Sequence, residues 1–575
     1  MCCMNIFEYF ETEFTSILTR LAEQSVLPRD LDASRVVFEL PRDVSHGDLA
    51  TNAAMILSKP AQKSPRDLAA ILVAEFAKID GVVGVDIAGP GFINLRVTPI
   101  LWAQQITDIF DSGLNYGRSM IGSGARVNVE FVSANPTGPL HAAHARGAVI
   151  GDALAGLMEF CGWDVTREYY INDAGGQVDV LARSTYLRYC EALGRDIGHI
   201  PEGLYPGEYL KDVGAALAQQ IGERYLDKAE AEWLDDVRDF AIDRIMQVIK
   251  QDLVSLGIHM DVFSSERANV QSGAVQHAID QLQAGGHLYT GVLAPPKGKE
   301  PEDWEPREQL LFRASDFGDD TDRPLQKSDG SWTYFAADVA YHLNKLERTK
   351  GQLINIFGAD HGGYVKRMNA AVAALSGQQN MLDIKLCQLV NLLDNGTPVK
   401  MSKRAGTFVT VRDVIDTVGA DVIRFIMLTR RNDQTLDFDF AKVTEQSRDN
   451  PVFYVQYAHA RACSVLRQRE APDHADLALL TAEPELALLK QLASWPKLVE
   501  SAAIAHEPHR IAFYLVDLAS HFHSLWNAGR DNPALRFIID DDQATTDARL
   551  MLVKATSLVI RTGLNMLSID ALEEM

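Results

Sequence analysis

The feature that most constrains this fold is a run beginning at Val127. VNVEFVS places Val127, Val129 and Phe131 on one face and reads as a strand. NPTGPL follows as a loop stiffened by two prolines and opened by a glycine. HAAHARGAVIGDALAGLMEFCG then reads as a helix whose small residues let it lie close to a sheet. A strand delivered through a tight loop into a helix N-terminus aims free amides at whatever binds there. A second unit begins at Gln352, where LINIFG, ending at Gly358, feeds ADHGGYVKRMNAAVAALSG. Each such unit has the geometry of a nucleotide site, with helix amides facing the end of a strand. The central fold is therefore expected to be α/β and Rossmann-like.

The flanking segments read differently. Residues 1–111 carry helical spacing at Ile17, Leu21 and over 67–79, and strand alternation over 35–40 (RVVFEL) and 91–97 (GFINLRV). They predict a small α+β domain. Residues 112–445 form the central domain, with a charged helical insertion over 201–250 and an exposed loop from Ala294. IKLCQLVNLL reads as one strand ending at Asn395-Gly396, a hairpin dipeptide, before KMSKRAGTF. From 446 onward the pattern is helical: Ile511, Tyr514, Leu515, Leu518, Phe522 and Leu525 keep a 3.6-residue period, and Leu550, Val553, Ile560 and Leu564 mark a last helix. Pro451, Pro496, Pro508 and Pro533 are expected at helix starts or in loops. An all-α helical bundle over 446–575 follows.

Composition narrows the function. The 55 Lys+Arg against 78 Asp+Glu give a net charge of −23, which excludes a general nucleic-acid coat and confines any such binding to local basic patches. The six cysteines form no C-x-x-C pair or zinc-spaced cluster, so no bound metal is expected and a reducing cytoplasm fits. MCCMNIFEYFETEF lacks the basic start of a signal peptide, and no apolar run is long enough to cross a membrane. P-loop, G-x-G-x-x-G, G-x-S-x-G and H-E-x-x-H patterns are absent.

Three constellations remain. His141 and His144 lie one turn apart at a helix start, where two imidazoles can donate to phosphate oxygens; alone, such a pair also reads as partly buried capping residues. Lys400 and Lys403, with Arg404, follow a hairpin on a Gly-bounded loop; they can close over a triphosphate, or be no more than a solvated basic turn. Tyr334 and Asp338 share a helix face, and Glu130 and Asn135 flank the end of the first strand. Together they suit a planar guanidinium, although singly each reads as a surface or capping residue.

ANPTGPLHAAH followed far downstream by KMSKRAGTF resembles the paired signatures of class I aminoacyl-tRNA synthetases. EFVSANPTGPLH, EYYINDAGGQ, WTYFAADVAYH and FYVQYAHAR narrow the resemblance to the arginyl-tRNA synthetase family, over nearly the whole chain. The resemblance implies ATP with Mg2+, L-arginine and tRNA(Arg) as substrates, and an arginyl-adenylate passed to the 2′-OH of the terminal adenosine. It implies catalysis by His141, His144, Lys400 and Lys403. ATP would be bound by Asn135, Pro136, Thr137, Gly138, Pro139, Leu140, Gly358, Met401 and Ser402. Arginine would be held by Glu130, Asn135, Tyr334, Asp338 and His361, the last standing where the family often has a glutamine. Phe92 and Asn94 would touch the tRNA elbow, and Tyr454, Tyr457 and Arg461 the anticodon side. Ala143 replaces the family's usual glycine before the second histidine. A cytoplasmic monomer without an editing domain is expected, with the 201–250 insertion as scaffold. The arginine-rich stretches at Arg424, Arg430 and Arg431, and at Arg461, Arg467 and Arg469, are expected to line the tRNA path. A ligase for another amino acid, a nucleotidyltransferase that uses no tRNA, and an inactive RNA-binding relative are the alternatives. The missing Cys/His cluster, the long helical C-terminus and the intact signatures argue against them in turn.

Overall fold

The computed structural model describes residues 5–41, 43–293, 308–327, 329–399, 409–447 and 449–575. Lys400, Met401, Ser402, Lys403 and Arg404 lie outside the described residues, as does most of the loop after Ala294.

At the centre is a five-stranded, all-parallel sheet. Its order is Leu382–Cys387, Gln352–Gly358, Arg126–Glu130, Asp164–Ile171, Val262–Ser265. The chain enters in the middle strand, Arg126–Glu130, builds outward in one direction, and then returns to add Gln352–Gly358 on the other side. The direction reverses between these two neighbours, which is where an open α/β sheet opens a crevice at its strand C-termini. Helix Ala142–Phe160 covers one face, as its small residues predict. A Cβ built on Gly151 would run into the Phe131 ring, so only a glycine lets the helix come this close.

The N-terminal segment forms a four-stranded antiparallel sheet, Phe38–Glu39, Leu49–Thr51, Phe92–Val97 and Val82–Ala88 in order across it. Helices Ile6–Glu23 and Pro65–Phe76 accompany it. The strand expected over 35–40 shrinks to Phe38–Glu39, because the Asn52 side chain takes the Val37 N–H at 2.9 Å before the ladder begins.

IKLCQLVNLL is two strands rather than one. Leu382–Cys387 ends the large sheet, and Val390–Asp394 belongs to a small one with Thr397–Pro398 and Leu436–Asp439. The break lies at Gln388, whose N–H turns away to the Asn432 carbonyl at 2.8 Å. Asn395 and Gly396 make the expected tight turn with φ of +49° and +74°. Asp439 accepts both of their N–H groups, at 3.0 and 2.8 Å.

Four long helices close the chain: Pro451–Gln468, Glu483–Ala505, His509–Asp531 and Gln543–Met566. Pro451, Pro508 and Pro533 stand at helix starts, but Pro496 lies inside Glu483–Ala505. Proline leaves the carbonyl four residues back without its helical donor. Here that carbonyl, on Leu492, accepts the Tyr116 hydroxyl at 3.3 Å, so a tertiary contact replaces the missing bond. Trp495 Nε1 returns a bond to the Tyr116 carbonyl at 2.8 Å. One apolar core runs without a break from the N-terminal sheet through the helix Ala142–Phe160 into this bundle.

Candidate active site

The cleft at the switch point has a volume of about 520 Å³ and is lined by residues 132–135 and 137–139, by His141 and His144, by Gln177, and by Gly358, Asp360 and His361; Pro136 and Leu140 of the same loop do not line it. Its floor is the 132–140 loop. Val132 and Ser133 take left-handed φ values of +69° and +41°, strained for side-chain-bearing residues and for a β-branched valine above all. The surroundings hold this conformation from several sides. Tyr169 donates its hydroxyl to the Ala134 carbonyl at 2.8 Å, Tyr209 to the Thr137 carbonyl at 2.6 Å, and Ser133 Oγ accepts the Tyr170 N–H at 3.1 Å.

His141 caps the helix Ala142–Phe160, and its N–H donates to His144 Nδ1 at 3.2 Å. A neutral His144 so engaged carries its proton on Nε2, which makes that nitrogen a donor. The two rings stack with centroids 4.2 Å apart. Ala143 is exposed beside them. Directly after the lysine-bearing signature, Thr410 pairs with His141 in an antiparallel bridge. Ala142 N–H donates to the Val409 carbonyl at 2.9 Å, and Val411 N–H to the Leu140 carbonyl at 2.8 Å. The signature's exit is thus stitched onto the histidine loop.

The five expected arginine contacts do not have equal environments. Tyr334, first residue of helix Tyr334–Thr349, is 74% exposed. Asp338, one turn on, is half-buried and accepts the Tyr364 hydroxyl. Burial, together with the nearby Glu266 and Glu130 charges, pushes the Asp338 carboxyl up to about 7. Glu130 is buried and already neutralised: Lys345 Nζ lies 2.7 Å from it, with Tyr341 and Ser133 hydroxyls completing its bonds. Lys345 is 0% exposed and also donates to Asn355. Glu130 thus has a cation of its own in Lys345, whereas among the described residues no cation pairs with Asp338. His361 is exposed near the Phe357 ring, and Asn135 donates to Gln177 at 2.9 Å. A Cβ added at Gly175, just before Gln177, would come into ordinary contact with the Tyr334 hydroxyl, so this turn lies beside Tyr334.

Sequence reasoning missed Tyr205, Tyr209, Gln177 and Tyr364. The 201–250 insertion was expected to be scaffold only, yet its leading residues Tyr205, Pro206, Gly207 and Tyr209 wall the cleft. The aromatic residues interleaved with Gly and Pro in PEGLYPGEY were the available signal.

Away from the cleft, Phe92 is exposed at the start of its strand, whereas Asn94 is buried within the sheet. On helix Pro451–Gln468 the Arg461 guanidinium lies between the Tyr457 and Trp526 rings, 4.3 and 4.5 Å from their centroids. Tyr454 packs on His523 with centroids 4.6 Å apart. Arg424 is not on a surface path: it is fully buried, bonded to Asp152 at 2.5 Å and to the Leu567 and Leu256 carbonyls. Among the described residues no helix is long and apolar enough to cross a membrane.

A parallel sheet that reverses beneath a paired-histidine helix start is the architecture of a class I aminoacyl-tRNA synthetase, and the family model described as "tRNA synthetases class I (R), catalytic domain" matches residues 105–445. Models of the arginyl tRNA synthetase N terminal domain and the DALR anticodon binding domain match 9–97 and 455–575. Arginine–tRNA ligases of Cereibacter sphaeroides and Roseobacter denitrificans are 57% and 55% identical over the whole of both chains. The Thermus thermophilus arginyl-tRNA synthetase superposes with a TM-score of 0.74 over 98% of this chain and 100% of its own, at 21% identity, a likeness of fold. The chain belongs to the arginyl-tRNA synthetase family.

Proposed function

We propose that the cleft takes ATP with Mg2+ on the 132–140 loop, with its phosphates at the His141–His144 helix start, and that arginine lies toward Tyr334 and Asp338. The overall reaction is that of the family: arginine is joined to tRNA with consumption of ATP. An arginine carboxylate oxygen attacks the α-phosphorus, the bond to the β-phosphate oxygen breaks, and pyrophosphate leaves. The 2′-OH of the terminal adenosine then attacks the adenylate carbonyl, and AMP leaves. His141, His144, Lys400 and Lys403 stabilise charge that grows on the phosphates, so no protein nucleophile is needed. Asp338 pairs with the guanidinium, Tyr334 and Asn135 orient the substrate, and His361 closes its far side.

The observation that carries this reading is the stitch at Thr410, Val409 and Val411, which tethers the lysine signature to the histidine loop. Division at 111/112 and 445/446, tRNA(Arg) along Phe92, Tyr454, Tyr457 and Arg461, a monomeric state and a cytoplasmic location complete the proposal. The test is ATP–pyrophosphate exchange with each of the twenty amino acids, with and without tRNA, on the wild type and Lys403→Ala. Arginine alone should support exchange, and Lys403→Ala should abolish most of it at unchanged melting temperature. A fully active Lys403→Ala refutes the phosphate role of the loop.

A further inference from the structure

Arg146 lies two residues beyond His144 on the catalytic helix and is completely buried. None of the carboxylates among the described residues pairs with it. Its guanidinium instead bonds three main-chain carbonyls: Nη1 donates to Gln388 at 3.0 Å and to Gln434 at 2.6 Å, and Nη2 to Arg431 at 2.8 Å. Nε has no partner. A buried cation with no carboxylate bonded to it, and only the more distant Asp433 charge acting on it, is an expensive way to fill space, and an apolar side chain of similar size would pack there at lower cost. What a guanidinium offers in exchange is a planar fork that fixes several acceptors at once.

Those acceptors come from two interlaced segments. Gln388 precedes strand Val390–Asp394, and Arg431 and Gln434 precede its parallel partner Leu436–Asp439. That small sheet also carries the hairpin ending at Thr397–Pro398, from which the lysine signature departs. The signature returns at Val409 to the histidine loop. Its departing root is therefore tied to the catalytic helix through Arg146, and its returning root through the main-chain stitch.

We infer that Arg146 is a positioning residue that sets the small lysine-bearing sheet in register with the His141–His144 pair, so that both signatures meet the same phosphates. The inference rests on the phosphate role proposed above for Lys400 and Lys403. Arg146 touches no substrate; it acts through the placement of the sheet. Tyr334 and Asp338 of the arginine pocket stand on another element, the helix Tyr334–Thr349, and none of the three carbonyls that Arg146 holds belongs to it.

The test compares Arg146→Lys, Arg146→Met and Lys403→Ala in the full-length chain with tRNA present. It measures pyrophosphate exchange, arginine binding by calorimetry and melting temperature. A misplacement of about 1 Å costs about 10²-fold in rate. Arg146→Met should lose about that factor in kcat and Arg146→Lys a smaller one, while arginine affinity is unchanged in both. Should Arg146→Met fail to fold, Arg146→Lys carries the test through hydrogen exchange: the Ala142 and Val411 amides should exchange faster while those of the parallel sheet stay protected. Full exchange rate in the Arg146 variants beside a slow Lys403→Ala overturns this inference alone. Parallel loss of arginine affinity and kcat also overturns it, by making Arg146 a general structural residue. A full rate in Lys403→Ala removes the underlying reading instead.

Discussion

The proposed contact between Asp338 and arginine predicts a pH dependence of binding whose size follows from the surroundings of Asp338. Its carboxyl titrates near 7 because burial disfavours the anion and the Glu266 and Glu130 charges oppose it, although the Tyr364 hydroxyl bond works the other way. A guanidinium is always charged and favours the ionised carboxyl. Without arginine, about half of the Asp338 side chains are protonated at pH 7, so binding should release about half a proton there. The apparent dissociation constant carries the factor 1 + 10^(pKa−pH). From pH 8 to pH 6 that factor rises about tenfold, and arginine should bind about tenfold more weakly. The sign in stability is consistent. With a folded pKa above the ordinary aspartate value of 3.8, Asp338 lowers stability progressively as pH rises from 3.8 to about 7, and arginine should raise the melting temperature more at pH 8 than at pH 6. Calorimetry in two buffers of different ionisation enthalpy measures both affinity and proton release. Asp338→Asn should weaken binding and flatten the profile. An arginine affinity independent of pH between 6 and 8, or a profile that persists in Asp338→Asn, refutes the assignment.

Other perturbations test the frame around the site. Lys345→Met leaves Glu130 buried and unpaired and should cost about 3–5 kcal/mol in urea unfolding, whereas Lys345→Met with Glu130→Gln should recover much of it. Gly151→Val drives a side chain into Phe131 and should cost about 1–3 kcal/mol with a slower exchange rate, because the histidine-bearing helix must tilt. Neutralising Arg430, Arg461 and Arg467 should reduce the slope of log K for tRNA against log salt by about 0.7–0.9 for each phosphate left without its cation, while the buried Arg424 should contribute to stability and not to that slope.

The sequence made the parallel sheet and the histidine pair legible because both depend on local patterns: alternation, a Pro/Gly loop, and a helix of small residues. The Asn395-Gly396 turn was readable for the same reason, since two left-handed residues in succession demand that dipeptide. What was hidden depends on partners distant in sequence. Pro496 reads as a stop until Tyr116, 376 positions before Leu492, is seen to satisfy the orphaned carbonyl. The Lys345 partner of Glu130 could not be read from the sequence, and Arg424 reads as a surface cation until Asp152 is found beside it.

These hidden groups share a physical logic. Lys345, Arg146 and Arg424 are cations removed from water, each spanning elements that must keep a fixed relation around the cleft. Lys345 joins the helix carrying Asp338 to the strands Arg126–Glu130 and Gln352–Gly358, through Glu130 and Asn355. Arg424 joins the catalytic helix, through Asp152, to the end of the last helix, through the Leu567 carbonyl. A hydrophobic contact tolerates sliding, because its energy is non-directional. A buried cation does not, because each broken bond leaves a charge unsolvated. The reaction depends on where several donors stand relative to one polyphosphate, so directional anchors beneath the site preserve geometry that apolar packing alone would leave free to slip.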